Sequence, residues 1–519
     1  MALSLLLCIT VSFLGFAIWF RRKKSKLEEF MSSLPGPQSL PLFGHTFMFI
    51  APSVTKMFDR LMRLAVEWPN IRPMDKVARF KFPTDDFALI FDPYTVQAIL
   101  RSPQFQDKDK TIYALFESPK SLITSNGKLW MAKRKAVIPG FHPIIMTSLD
   151  TFYRQRVDQF FDNIRPYADS KEIFDLKEEM AMLSADLLGD SFFGVSMDVQ
   201  KKKDTTLASI SFALPQSMII RFLVPIFRPK FICWIFRGWL SHEKFFKGGR
   251  ALAKEAVTKR MEYRARLEQG GNSKDASLES GQKIYLDILL DMFETADDGN
   301  LDDVVEDMIE IWEAGISTTT SIACWVCLLS GVFPEVGEKL HAEIEEHFSS
   351  DEQSMDIENC AKLKYLDMVI KEALRHFTVP ISFRQNEEDV FIKDVGTIPA
   401  KARIGLFLTA LHHHPAYWEK PLEFYPEHFL PENVAKRPNC AFLPFSGGKR
   451  VCPGEKYAMQ TLKCTLTQIL SKVKFRAAKM KPWKNVYSEN SHTLGFTLIP
   501  PDGFFVTVEF KDKILNDRL

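Results

Sequence analysis

The segment Phe445-Ser446-Gly447-Gly448-Lys449-Arg450-Val451-Cys452-Pro453-Gly454-Glu455 decides how the rest of this chain is read. Glycines and a proline flank a single cysteine. Glycine lets the backbone take positive φ and pass close to another group. Backbone N–H donors and nearby positive charge drive a thiol toward thiolate. Lys449 and Arg450 supply charge, and residues 455–473 read as a helix whose N-terminus points at the cysteine. A thiolate so placed can ligate haem iron and push electron density onto it. Arg450 suits an anionic partner such as a haem propionate. Taken alone, the loop is equally consistent with a glycine-rich turn around a buried cysteine.

The other cysteines, Cys8, Cys233, Cys324, Cys327, Cys360, Cys440 and Cys464, are scattered through 519 residues. That is not the dense framework of a small secreted domain, and it reads as reduced thiols, mostly buried as small apolar groups. The chain is 46% hydrophobic and 25% charged, enough for a large core. Its 67 basic and 65 acidic residues give a formal net charge of +2, which gives no sign of a nucleic-acid partner.

Residues 2–20 carry no charge and are followed at once by Arg21, Arg22, Lys23 and Lys24. About 20 apolar residues span a bilayer as a helix, and positive charge on the C-terminal side keeps that side cytoplasmic. A cleaved signal peptide has its basic residues before the apolar run, and a transit peptide is amphipathic and Arg-rich, so an uncleaved anchor over 2–20 is expected. Residues 21–44, with Pro35, Pro37 and Pro41, read as a basic, proline-stiffened hinge, and 45–519 as one catalytic body.

Within the body, Phe87-Ala88-Leu89-Ile90-Phe91 looks extended, and residues 124–266 look mainly helical. The aromatic stretch 219–240 reads either as core helices or as a surface dipping into a bilayer, and Pro225 and Pro229 exclude one spanning helix. A long helix is expected over 302–329, stopped near Pro334. Residues 378–404 turn β-like, a proline-rich loop leads from Pro415 to Pro444, and 492–510 alternates like a hairpin, with Phe504, Val506, Val508 and Phe510 on one face. Glu372 and Arg375 are helix neighbours at i, i+3, as Trp130 and Arg134 are at i, i+4. Consecutive His412, His413 and His414 do not face one site, so a structural role is expected of them. The long helix carries Ala314-Gly315-Ile316-Ser317-Thr318-Thr319-Thr320, whose hydroxyls compete for helix carbonyls and could open a groove.

The cysteine segment is similar to the ligand signature of the cytochrome P450 superfamily. Phe445, Gly448, Arg450, Cys452 and Gly454 fill its defining positions, and Ala458 fits the small residue four places on. The resemblance covers essentially the whole chain. Leu411 through Trp418 and Gly127-Lys128-Leu129-Trp130 look most like the microsomal family-4 clan, which includes fatty-acid ω-hydroxylases and many invertebrate enzymes. It implies a mainly α fold with small β-sheets, preceded by a transmembrane helix, and a haem b whose axial ligand is Cys452. It also implies propionate partners at Trp130, Arg134, Arg384 and Arg450, a proton-relay alcohol at Thr318, and a buried Glu372–Arg375 pair.

The chain departs from the pattern at three places. Ser317 stands where many members have an acid, and a hydroxyl must pass protons through water. His428, in Pro426-Glu427-His428-Phe429, replaces an arginine. Ala314 replaces the glutamate that bonds covalently to haem in many fatty-acid hydroxylases. Glu313 is one residue off and is expected to point elsewhere, so non-covalent haem is expected.

The implied function is a haem-thiolate monooxygenase at the endoplasmic reticulum membrane. It would use O2 and electrons from NADPH through NADPH-cytochrome P450 reductase to oxidise a small apolar substrate. A basic face with Lys133, Lys135, Lys449 and Lys456 would meet the reductase. Alternatives are a haem-thiolate isomerase or lyase, and a non-catalytic haem or lipid-binding protein.

Overall fold

The computed structural model describes residues 25–511, apart from 41–42, 50–53, 73–74, 117, 119, 142–149, 208–216, 219, 223, 236–242, 270–282, 296–299, 350–354, 487–492, 495–496 and 501. The expected anchor at 2–20 and its basic cluster lie outside the described residues, as does most of the polar loop near 270–282.

Helices of eight or more residues among the described ones are α1 (Lys26–Ser33), α2 (Val54–Ile71), α3 (Pro93–Arg101), α4 (Gly127–Val137), α5 (Asp150–Ser170), α6 (Leu176–Leu188), α7 (Glu243–Glu268), α8 (Tyr285–Thr295), α9 (Leu301–Val332), α10 (Pro334–His347), α11 (Lys364–Phe377) and α12 (Glu455–Lys472). Strands β1 (Val77–Lys81), β2 (Asp86–Ile90), β7 (Arg403–Leu406) and β4 (Ser382–Gln385) form one sheet in that order, with β2 and β7 parallel. Smaller sheets pair β3 (Phe174–Asp175) and β8 (Val473–Ala477) with β11 (Phe505–Phe510), β5 (Val390–Ile392) with β6 (Gly396–Ile398), and β9 (Thr493–Leu494) with β10 (Leu498–Ile499).

α9 is the spine. It is apolar on nearly every face, so it is buried all round. Asn300 caps it through Oδ1 on the Asp302 N–H at 3.0 Å, and Asp302 and Asp303 oppose the positive end of its dipole. It extends past the expected stop to Val332, because Pro334 begins α10 at a position where its missing N–H costs nothing. Trp325 stacks on Phe377 of α11 with centroids 3.6 Å apart and donates Nε1–H to the Leu498 carbonyl at 2.8 Å. Gly331 lets β8 cross closely: a Cβ there would sit 2.7 Å from the Phe475 oxygen. Among the described residues α9 is the one helix long and apolar enough to cross a membrane, and its apolar window is 83% buried within the fold.

The expected terminal hairpin is only partly formed. β9 pairs with β10, whereas β11 leaves them and pairs with β8 and β3. In that pairing Val508 and Phe510 sit opposite the apolar Phe475 and Val473 of β8.

Behind the cysteine loop, Glu372 and Arg375 of α11 are both fully buried, not a surface pair. Arg375 donates Nε–H and Nη2–H to the two carboxylate oxygens at 2.8 Å each. Its remaining donors reach the carbonyls of His412, Pro421 and Glu423, which fixes the proline-rich loop. The Tyr425 N–H and His428 Nδ1 also meet the Glu372 carboxylate, at 2.8 and 3.2 Å. His428 bonds the Glu419 carbonyl through Nε2 at 2.9 Å, and Arg437 donates to the His428 carbonyl at 2.7 Å. The third position of the network is therefore closed by a shorter side chain with an arginine behind it. Burial pushes the Glu372 carboxyl up, but the Arg375 charge and the surrounding donors outweigh it and hold it well below the usual range.

The histidine run is buried against this network. Burial, then the Arg375 charge, pushes His412 down to about 3, so Nε2 of the neutral ring accepts from the Leu443 N–H at 2.8 Å. His413 bonds the Thr409 carbonyl through Nδ1 at 2.7 Å. Glu372→Ala strands the Arg375 charge in the core at a cost of about 3–5 kcal/mol. The expected result is a large drop in the urea unfolding midpoint of the purified variant, and an unchanged midpoint would refute the role given to the pair.

Candidate active site

The cysteine segment crosses from the proline-rich loop into α12. The Cys452 N–H donates to the Phe445 carbonyl at 2.9 Å, pinching the loop shut. Gly448 sits at φ +67°, and a Cβ there would lie 2.4 Å from the Leu100 carbonyl oxygen, so only glycine fits. Gly454 is the N-cap of α12, which aims the helix N-terminus at Cys452. Cys452 is exposed to the cavity. Desolvation by the surrounding protein pushes its thiol up, while the Gly454 N–H and the Arg134 charge act to hold it down.

Cys452 borders a cavity of about 330 Å³. Of the residues singled out in the sequence, Trp130, Arg134, Arg384, Phe445, Arg450, Gly454 and Thr318 line the same space. Glu372, Arg375 and His428 stand behind the loop and do not. Arg450 lies flat over the Trp130 ring at 3.8 Å and donates to the carbonyls of Gln106 and Ser125 and to Asn126 Oδ1. Its Nη1 is buried and has no partner. Arg384, 1% exposed, donates Nη1–H to Ser382 Oγ at 2.7 Å and to the Phe383 carbonyl at 3.1 Å.

Lys108 is a cavity residue that the sequence reading missed. Its ammonium sits 4.4 Å above the Tyr113 ring, and its backbone is clamped by Asn126. Asp109 holds the segment by capping the following turn while bound to Arg403. No local motif marks Lys108; only the packing of this loop against β4 and the cysteine segment brings it in.

Four cations thus converge on one cavity. Among the described residues the only carboxylate in an ion pair with any of them is Asp107, 3.7 Å from Arg450. Burial, then the neighbouring Arg384 charge, pushes Arg450 down to about 10, and burial lowers Arg384 and Lys108 too. A buried guanidinium without an anion is costly, so the cavity is built for an anionic occupant beside the thiol.

α9 forms the opposite wall and stays helical through the Ser/Thr run. Thr318 donates its hydroxyl to the Ala314 carbonyl at 2.6 Å and faces the cavity. Ser317 donates to the Glu313 carbonyl at 2.5 Å, is 1% exposed, and is not among the cavity-lining residues. One 100° step separates them, which turns Ser317 into the protein. Glu313 was expected to point away from the face of Ala314, yet both line the cavity, because the cavity wraps a broad arc of α9 from Glu310 to Ile322.

Two surface expectations also change. Lys133 is not on a basic face: it is ion-paired with buried Asp307, its side chain 12% exposed. Lys135, Lys449 and Lys456 are exposed. The aromatic stretch 219–240 splits. Phe222 packs on Phe82, Phe87 and Phe383 in the core, whereas Phe231 and Ile235 are 65% and 60% exposed.

Residues 34–506 match the family model described as Cytochrome P450. This chain belongs to the cytochrome P450 family. Its relatives include "Cytochrome P450 4c21" of Blattella germanica, 25% identical over 93% of this chain and 95% of that one. "Cytochrome P450 4c3" of Drosophila melanogaster is 25% identical over 97% and 95%, and "Cytochrome P450 4V2" of Rattus norvegicus 28% identical over 83% and 82%. The protein is thus a cytochrome P450 monooxygenase with non-covalently bound haem, acting on an organic substrate with O2 and a redox partner.

The cavity of this P450 fits that haem. Cys452 offers sulfur on one wall, and Arg134, Arg384, Arg450 and Lys108 offer cations to two propionates, including the orphaned Nη1 of Arg450. Removing one such contact is expected to weaken haem retention by about tenfold, the worth of one charge-assisted pair. Arg384→Leu and Lys108→Met should each release haem to apomyoglobin faster than wild type does, and unchanged release rates would exclude these residues as propionate partners.

Proposed function

We propose that this P450 is a membrane-anchored monooxygenase that oxidises an apolar substrate, such as a fatty acid, a steroid-like molecule or a xenobiotic. NADPH-cytochrome P450 reductase would supply electrons, and the catalytic domain would lie on the cytoplasmic side of the endoplasmic reticulum membrane. The observation that carries the reading is the meeting of Cys452, four cations and Thr318 around one cavity. The uncharged run 2–20 followed by basic residues supports the anchor, and exposed Phe231 and Ile235 suit contact with lipid.

Haem, when bound, supplies the activation of O2 and the transfer of one oxygen atom to a C–H bond. The chain's part is positional. Cys452 would hold the iron of a bound haem through its sulfur, which the loop closure and the Gly454 N–H position. Trp130, Arg134, Arg384, Arg450 and Lys108 would hold its propionate side. Thr318 keeps a hydroxyl at the cavity wall that can relay a proton through water, and Ser317 stands behind it as a lesser partner. A second cavity of about 140 Å³, lined by Phe82, Phe87, Phe222 and Phe383, shares Ile381 with the first and suits the apolar body of a substrate.

The deciding experiment is the absorption spectrum of the reduced, carbon-monoxide-bound protein. A thiolate-type Soret band is expected for wild type and should vanish in Cys452→Ser; its survival would sink the ligand assignment. Product formed only with NADPH and reductase separates a monooxygenase from an isomerase or lyase. Thr318→Ala is expected to cut the share of NADPH electrons reaching product by about tenfold, with hydrogen peroxide rising to match, while Thr318→Ser keeps most of the coupling.

A further inference from the structure

The α9 wall carries acid that the reading above leaves unused. Glu310 and Glu313 both line the cavity and are 3% and 4% exposed. Glu310 Oε2 accepts from the Ile123 N–H at 3.3 Å. Oε1 of Glu310 and Oε1 of Glu313 are both buried without a hydrogen-bond partner. Carboxyl oxygens with no donor are expensive in a largely apolar space, and such orphans in a folded protein point to a missing partner.

The cations nearby do not fill that place. Among the described residues no cavity cation is ion-paired with either acid: Arg450 donates to Gln106, Ser125 and Asn126 with its Nη1 left over, Arg384 donates to Ser382 and Phe383, Arg134 has no ion pair, and Lys133 is paired with Asp307. Lys108 rests over Tyr113 and is not within ion-pair reach of Glu310 among the described contacts. The cavity therefore carries two kinds of unpaired group: cations suited to two propionates, and carboxyl groups on α9. A substrate carboxylate beside Glu310 and Glu313 would oppose their ionisation, whereas a cation there would favour it.

We propose that Glu310, with Glu313 beside it, forms a subsite for a cationic group of the substrate, a protonated or quaternary amine carried on an apolar body. This rests on the monooxygenase reading and names a substrate class for it. The groups facing Glu310 are Ser121 and the Ile123 N–H from the loop before α4, Asp307 and Glu313 along α9, and Lys108. Burial, reinforced by Asp307 and opposed by Ser121, Ile123 and Lys108, pushes Glu310 up to about 8, and burial with the Glu310 and Glu306 charges raises Glu313 well above the ordinary carboxyl range. Without an occupant Glu310 is mostly neutral at neutral pH. A cation favours the ionised form, so its affinity should rise as pH climbs through the Glu310 value.

The test uses the full-length, haem-loaded protein and isothermal calorimetry with octyltrimethylammonium, which cannot ligate iron, against octanoate and octanol. Octyltrimethylammonium is expected to bind about tenfold more tightly than octanoate, the worth of one partly buried charge pair, and to tighten between about pH 6 and about pH 9. Glu310→Gln should abolish both the preference and the pH dependence while leaving octanol binding unchanged. Glu310→Asp, which keeps the carboxyl, should retain the preference. Octanoate binding as tightly as the ammonium in wild type, or an undiminished preference in Glu310→Gln, overturns the proposal. The reduced carbon-monoxide spectrum of the same samples separates the two readings: a missing thiolate band refutes the haem-thiolate assignment, while the ligand preference alone decides the subsite.

Discussion

Positive charge buried without an anion governs the design of this molecule. Arg134, Arg384, Arg450 and Lys108 converge on a single cavity, and among the described residues only Asp107 is in ion-pair range of any of them. Desolvated guanidinium groups are tolerated only when something negative completes the site. The surrounding structure holds them in place. Trp130 supports the face of Arg450, Asn126 ties Arg450 to the backbone of Lys108, and Arg403 with Asp109 anchors the loop that carries Lys108. A haem, with its two propionates, would meet this electrostatic demand, and Cys452 would offer it a sulfur ligand.

The same logic runs in the opposite sense behind the loop. The Glu372–Arg375 pair is fully buried, yet it is satisfied: each carboxylate oxygen has a donor, and the guanidinium makes five hydrogen bonds, two to Glu372 and three to the carbonyls of His412, Pro421 and Glu423. That pair ties α11 to the proline-rich loop, and the loop in turn delivers Phe445 to Cys452. One network is closed and serves as a brace, and the other is left open and serves as a socket. The acids on α9 add a third kind of site, carboxyl groups on the cavity wall whose Oε1 atoms are buried without a partner.

Local patterns revealed much of this. Glycine at 448 and the charge beside Cys452 could be read directly, because a tight turn and a thiolate each demand particular residue types at fixed spacing. The i, i+3 and i, i+4 pairs on α11 and α4 were legible for the same reason. Lys108 was not, since nothing in its neighbours in sequence distinguishes it from a solvated lysine. Lys133 erred the other way: it looks like a surface charge but is consumed by Asp307, 174 positions away. The last strand was legible as a strand, but not its partner, since alternation fixes which face is apolar and says nothing about what covers it.

By itself, then, the sequence determined the tight turn around Cys452, the Glu372–Arg375 pair on α11, the long core helix and the alternation of β11, all of which depend on contacts between near neighbours. Tertiary structure alone decided which cations share the cavity, that Thr318 faces it while Ser317 turns away, that Glu310 and Glu313 border it, and that His428 can close the Glu372 network with Arg437 behind it. Each of these is set by segments far apart in the chain meeting at one point, and helical or strand period cannot encode where such segments meet.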